Sequence, residues 1–336
     1  MASRRSLCRS AAWLPTRLAT LGNTISLRME SRLKQTGTTA CNPQQPRKLR
    51  GLLLSLLLGA CPAVSTGEPV TTDQPARRAI SLAPHVTELI YAAGAGHYLL
   101  ATVVSSDHPE AARALPRVGD GVTVHPERLL AWRPDLIAAW QPTHVLTALG
   151  PALAQLGIPL IYSRPRSLDD IAVEILRYGR IFGTEATAQS NASAWRNRLS
   201  ALRERHRNLP PLTVFIELGG EPLYTLGPDP LLRDVLATCS AVNLYDDSPT
   251  PALTVAMEDV LIRRPDVLLL PARKPTQARE RVAVWRRHAL PAALAEHFHA
   301  YDPDLLHRPG PRLLDAAEAL CADLERIRLA QADNKH

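Results

Sequence analysis

"ERLLAWRPDLI", Glu127–Ile137, and "EDVLIRRPDVL", Glu258–Leu268, are one phrase written twice, 131 residues apart. In each copy a Glu stands six residues before an Arg-Pro-Asp triplet, and two aliphatic residues follow. The spacing predicts a helix of about two turns in which Leu129 and Leu130, or Val260 and Leu261, face a sheet. The Arg before each Pro ends that helix, because proline pushes the preceding residue out of the α region. The Asp then leads into a buried strand. Most of the phrase is therefore connective architecture, and its repetition marks two equivalent structural units. The leading acids are not explained by the connection. A carboxylate in the first turn of a helix gains about 0.3–1 kcal/mol from the helix dipole, which suffices for either residue alone. As a pair, one per unit, Glu127 and Glu258 also offer two negative knobs to a two-fold symmetric partner with basic pockets.

Working outward, strands and helices alternate on both sides of the phrase. "RAISLAP", "LLATVVSS", "DLIAAW" and "IPLIYS" read as strands. "HVTELIYAAGAG", "HPERLLAWR" and "HVLTALGPALAQLG" read as helices, the first with Thr87 or His85 near its N-cap and Gly94 or Gly96 at its end. After "NLPP" the rhythm resumes with strands "LTVFIEL", "DVLLLP" and "HFHAYD" and helices "DPLLRDVLATCS", "ARERVAVWRRH" and "GPRLLDAAEALCADLERIRLA". "PALTVAMEDVLIRR" reads as a loop running into a short helix. The strands are uniformly aliphatic, as in a parallel sheet covered on both faces. Between the two halves, Ser167–His206 keeps helical spacing. Ile171, Ile175, Ile181 or Phe182, Ala188, Ala192, Trp195, Leu199 and Leu202 form one apolar stripe, with Gly183 as a kink point. The expected fold is α/β, with two lobes, 77–165 and 209–330. Each has a central, mostly parallel sheet flanked by helices, and one long rigid helix, 166–208, joins them.

The formal charge of +7 invites a nucleic-acid reading, but residues 1–50 hold ten Lys/Arg against one acid, Glu30. That segment alone is +9, so the other 286 residues carry −2. No basic stripe with interleaved aromatics follows, and nucleic acid is set aside. "RKLRGLLLSLLLGACPAVS" is a charged segment, an apolar run of about ten residues and a small-residue tail, which reads as an export signal. Leu58-Gly59-Ala60-Cys61 also resembles a bacterial lipobox, making Cys61 the lipidation candidate; the alternative is ordinary cleavage near Ser65. About 47 polar, basic residues precede the signal; an initiator assigned too far upstream accounts for them. Residues 1–65 are expected to be removed or disordered in the mature protein.

Setting aside Cys8, Cys41 and Cys61 leaves Cys239 and Cys321. Two thiols in an exported protein suggest one disulfide, the alternative being two buried free thiols. A bridge over that interval is worth roughly 3–4 kcal/mol on the chain-entropy argument, less any strain.

The chain carries no G-x-G-x-x-G after the first strand, no G-x-x-x-x-G-K-[ST] and no G-x-S-x-G, so a two-lobed α/β enzyme lacks a motif to support it. A zinc or manganese carrier would need three or four His and carboxylates together. The eleven His are scattered; His297 and His299 fall in an expected strand on one side, where surface or core roles are commoner than metal ligation.

Two lobes, a rigid helix, an export signal and paired Glu together resemble the periplasmic substrate-binding proteins of ABC importers with a helical backbone, and within them the branch that binds cobalamin. The resemblance spans residues 78 to about 328, through "RAISLAPHVTELIYAAGAG", "SSDHPEAARALPRVGDG", "PERLLAWRPDLIAAW", "MEDVLIRRPDVLLL", "DVLATCSAVNLYDD" and "DLLHRPGPRLLDAAEALCADL". It implies a monomeric, periplasmic carrier with no cofactor and no metal of its own, holding a corrinoid between its lobes. It also implies docking of Glu127 and Glu258 on a permease dimer served by ATPase subunits, and a Cys239–Cys321 disulfide, as in some members. Trp140 matches a family aromatic against the corrin, and Asp304 and Arg308 match a polar pair over the ligand. Other family aromatics are replaced here by Ser105, Gly121, Leu218 and Ala252, which implies a wider or less apolar cleft. A corrinoid with different lower-face groups, a haem or a ferric siderophore all stay open. His85 is expected at the cleft, either against the ligand or its metal, or as a helix cap.

Overall fold

In the computed structural model, which describes residues 74–121 and 123–333, the first repeat unit has four strands. They are β1 (Ala79–Ser81), β2 (Leu99–Ala101), β3 (Leu136–Ala139) and β4 (Leu160–Tyr162), all parallel in the order β2-β1-β3-β4. Helices α1 (Pro84–Ala92), α2 (Glu110–Arg113), α3 (Pro126–Ala131) and α4 (His144–Gln155) connect them. Strands β1 and β3 are buried throughout, with Ile80, Ile137 and Ala138 exposing nothing, and the edge strand β4 is partly buried. The export signal, the lipobox and Cys61 lie outside the described residues.

The expected linking helix is two helices, α5 (Leu168–Phe182) and α6 (Glu185–His206). Gly183 takes φ +68°, a left-handed C-cap that ends α5 outright. The chain then turns back on itself: Ala188 packs on Gly179, and the Trp195 indole donates to the Leu168 carbonyl at 3.2 Å. This corrects the single rod over 166–208. The apolar stripe is real on both helices, with Ile171, Ile175, Phe182, Ala188, Ala192, Trp195 and Leu199 buried, but a stripe cannot report that its two halves face each other. Only α6, 22 residues and about 33 Å long, runs the length of the connection. It touches both sides: Asn191 donates to the Ala92 carbonyl, and Arg203 pairs with Asp234.

The second unit contains β5 (Leu212–Gly219), β6 (Tyr224–Leu226), β7 (Ala241–Asn243), β8 (Ala252–Thr254), β9 (Val267–Pro271) and β10 (Phe298–Tyr301). Its helices are α7 (Pro230–Thr238), α8 (Met257–Arg263), α9 (Pro275–Arg287), α10 (Pro291–Leu294), α11 (Pro303–Leu306) and α12 (Leu313–Asp333). The sheet order is β10-β9-β5-β6-β8, with β7 parallel to the start of β5. Strands β6 and β8 are antiparallel, and β8 falls inside the segment read as loop. Three half-exposed residues leave too little apolar pattern to mark a strand.

The repeated phrase has one geometry. Arg133 and Arg264 both have φ +48°. Each has left the right-handed α region ahead of its proline, but for the left-handed region and not for the extended one. Pro134 and Pro265 are buried. Asp135 then accepts from the backbone N–H of Arg77 and Arg78 at 2.8 and 2.9 Å, and Asp266 from the backbone N–H and hydroxyl of Thr213, both at 2.7 Å. Each Asp thereby pins the entry of the neighbouring strand, β1 in one lobe and β5 in the other. Leu129 and Val260 expose nothing, as the phrase required.

Candidate functional site

In open α/β sheets, ligands sit beyond the carboxyl ends of the strands. In the first lobe those ends lead to His85, the 102–109 loop, Trp140 and Ser163. In the second they lead to Gly219, Arg273 and the 302–308 segment. Loops from the two lobes meet: Arg308 Nη1 donates to Asp107 Oδ1 at 2.7 Å, and Arg312 donates to both oxygens of Glu88 at 2.6 and 3.1 Å. Both sets of strand ends therefore border one cleft.

The first-lobe side presents an aromatic side chain, with buried hydroxyls behind it. Trp140 is 48% exposed although it follows a fully buried strand, so it is a surface plate and not core. The His85 ring meets it edge-on at 6.0 Å. His85 Nε2 donates to the Ser163 carbonyl at 3.2 Å; a carbonyl only accepts, so that nitrogen carries the proton. Burial pushes the His85 pKa down to about 4, against the raising effect of the Ser163 bond and helped by the Arg308 charge. The imidazole is neutral. His85 does not cap: α1 begins after Ala83, which lends no side-chain cap, and Pro84 opens the helix. The Thr87 hydroxyl does not cap either. It joins Ser81, Thr102 and Ser106 in a knot of buried hydroxyls, at 2.8, 3.0 and 3.0 Å. The knot fixes the loop that carries Val104, Ser105 and Asp107. Val104 is 64% exposed there, and Gly121 lies against Leu82 and Val103 at φ +100°.

The second-lobe wall is charged. Arg308 Nη2 pairs with Asp304 at 2.9 Å, and Arg273 pairs with the same carboxylate. Behind them the buried carboxylate of Glu217 is held by Arg281 and by the Trp285 indole at 2.8 Å. Leu218 is partly buried on β5 and Ala252 is exposed on the edge strand β8. The structure thus brings His85 together with Trp140, and Asp304 with Arg308, whereas Ser105, Gly121, Leu218 and Ala252 form no hydrogen bond or ion pair with these four among the described residues. Sequence reading missed Asp107 and Arg273. Asp107 sits in "SSDHP", whose turn-forming composition disguised a charged cleft residue.

Glu127 and Glu258 stand exposed in the first turns of α3 and α8. Neither forms an ion pair among the described residues. The neighbour Asp259 shows the contrast, tied to Arg263 at 3.0 Å and to the Tyr245 hydroxyl at 2.6 Å. Cys239 and Cys321 are joined in a disulfide that links the end of α7 to α12. His299 is buried against Asp323, Nδ1 to Oδ2 at 2.7 Å, and burial lowers the His297 pKa. Among the described residues no three His, Cys, Asp or Glu side chains gather as a metal site, and no helix is long and apolar enough to cross a membrane.

Two α/β lobes joined through a helical hairpin, with their strand-end segments meeting at Asp107–Arg308 and Glu88–Arg312, have the architecture of a two-lobed solute-binding protein. Residues 80–305 match the family described as periplasmic binding protein, and the chain belongs to that family. It is 34% identical over 282 residues to the vitamin B12-binding protein of Yersinia pestis (strain Pestoides F), covering 84% of this chain and 94% of the relative. The solved periplasmic vitamin B12-binding protein of Vibrio cholerae superposes with a TM-score of 0.67 at 34% identity, over 76% of this chain and 98% of that one. The periplasmic haem-binding protein of Vibrio cholerae superposes with a TM-score of 0.63 at 25% identity, over 74% and 98%. These relatives are binding proteins, and the enzyme alternative is set aside.

Proposed function

We propose that this chain captures a cobalamin-like corrinoid in the periplasm and delivers it to a membrane permease dimer with its ATPase subunits. The observation that carries this reading is the exposed Trp140 plate beside His85 in the lobe whose Asp107 reaches Arg308 of the Asp304–Arg308 pair. A corrinoid needs such a site: an apolar face for the flat ring and polar groups for its amide arms. The vitamin B12-binding relatives support it. Ser105, Gly121, Leu218 and Ala252 border the ligand with small or aliphatic side chains, and the protein works as a monomer. A second reading, haem, is favoured by the neutral His85 imidazole beside Trp140, because its Nε2 proton is held by the Ser163 carbonyl and its Nδ1 lone pair is that of an iron ligand. A ferric siderophore ranks behind both.

Calorimetric titration with cobalamin, cobinamide, haemin and a ferric siderophore tests the ligand. Saturable cobalamin or cobinamide binding is expected, and failure of both overturns the corrinoid reading. Glu127 and Glu258 dock on the permease. Replacing both by Ala should leave affinity within about twofold and abolish uptake in cells. Lost affinity with retained uptake would reverse the assignment.

A further inference from the structure

We infer that Asp107 is a positioning residue, which holds Arg308 over the cleft from the opposite lobe and thereby couples ligand retention to lobe closure. The inference rests on the corrinoid-binding reading only for its ligand arm.

The argument begins with unequal sharing. Asp304 accepts from two guanidinium groups, Arg273 and Arg308. Its Oδ1 takes Nη2 of Arg308 and its Oδ2 takes Arg273, so Nη1 of Arg308, on a side chain only 13% exposed, is left for another acceptor. The second acceptor comes from the other lobe, Asp107 Oδ1 at 2.7 Å from Nη1. Arg308 is thus gripped from both sides of the mouth, by residues 201 positions apart. Asp107 is itself well held. Its neighbour Ser106 accepts from the Thr102 hydroxyl at 2.7 Å, and Arg113 Nε donates to the Asp107 carbonyl at 2.8 Å. Burial alone would raise the Asp107 pKa; the hydrogen bond and charge of Arg308 outweigh it and lower it, so the carboxylate is charged.

A second crossing lies four residues on, and it differs in burial. The Glu88 carboxylate is 3% exposed and the Arg312 side chain 24%. Gly310 packs on both Glu88 and His85, where a Cβ would come within 3.1 and 3.4 Å. Breaking this pair would strand a buried carboxylate, so it behaves as a fixed pivot. Asp107 is 50% exposed, so its pair is screened and can open. The lobes then separate about Glu88–Arg312 and release at Arg308–Asp107.

The test uses the whole chain with its native disulfide. Spin labels at Leu156→Cys and Leu294→Cys, both exposed and on different lobes, report the lobe separation in ligand-free protein. Stopped-flow displacement reports cobalamin dissociation. Asp107→Asn should widen the ligand-free distance distribution and speed dissociation about threefold to tenfold, with little change in association. Asp107→Glu should restore most of both. Glu204→Gln, an exposed change on α6, should alter neither. Dissociation and distance both within about twofold of wild type would overturn the proposal. So would a fall in melting temperature of about 4 °C or more without widening, since loss of fold would then explain any effect. A wild type that binds no cobalamin would refute the ligand reading alone, because the ligand-free distances still decide the role of Asp107.

Discussion

The two lobes agree where the chain enters its buried strands and disagree where those strands end. At the entry, Arg133 and Arg264 share φ +48°, the following prolines are buried, and Asp135 and Asp266 each pin a neighbouring strand. Beyond the strand ends, one lobe carries the exposed Trp140 against His85, over a loop fixed by a buried knot of hydroxyls, and the other carries Arg273, Asp304 and Arg308. The scaffold is duplicated and the side chains at its strand ends are not. A ligand with both an apolar face and polar arms needs two unlike walls, and two copies of one scaffold supply them through their loops.

The lobes also differ in what holds them, and this asymmetry makes the largest prediction. Among the described residues only the second lobe is stapled, by Cys239–Cys321 over a separation of 82 residues. Closing so long a loop constrains the unfolded chain, which is worth about 4 kcal/mol on the chain-entropy argument. Reduction should lower the urea midpoint accordingly. Trp285, buried in the second lobe, should report the loss first by fluorescence. A loss below about 1 kcal/mol would mean that packing around α7 and α12 carries this region without the bridge.

The first lobe carries an acid-sensitive group of its own. His85 titrates near 4 when folded and near 6.5 when unfolded. Between those values the unfolded chain binds more protons, so stability rises with pH across that window and is fully present above it. Acidification from pH 7 to pH 5 should cost about 2 kcal/mol through this group. His297 and His307 are also lowered by burial and add in the same direction, so the useful quantity is a difference. The drop in urea midpoint from pH 7 to pH 5 should be smaller in His85→Gln than in wild type. An identical drop would mean that His85 is not held neutral.

How much of this was legible in the sequence follows from the range of each interaction. The phrase around Glu127 and Glu258 is local, so its helix, its stop and its buried strand could be read directly. The stripe through α5 and α6 was legible as periodicity. Its break at Gly183 was visible only as a kink point, because periodicity says which face is apolar and not what it packs against. Strand β8 was missed because edge strands of three residues carry almost no pattern. The cleft was legible where single residues stand out, as Trp140 does. Asp107 escaped because its significance lies in Arg308, 201 residues away, and no local pattern encodes a contact across two lobes. The role of His85 as a cap was a local inference overridden by its Ser163 partner, 78 residues on.

The smallest prediction tests the part the lobes share. A non-glycine residue in the left-handed region costs about 1 kcal/mol or more. Glycine removes that strain but gives the unfolded chain more freedom, which takes back about 0.4–1 kcal/mol. Arg133→Gly and Arg264→Gly should each therefore stabilise by less than about 1 kcal/mol. Nothing else is lost at the first site: the Arg133 carbonyl that receives Arg78 Nε at 3.0 Å belongs to the backbone and survives the change. The sites lie in separate sheets with no shared partner, so their effects should add to within about 0.5 kcal/mol. Melting temperatures of the two single variants and the double variant measure this. Equal small gains would show that both copies carry the same strain for the same reason, that each proline must be met from a left-handed residue. A gain in one lobe and a loss in the other would separate the copies and locate a further role for the arginine side chain that loses.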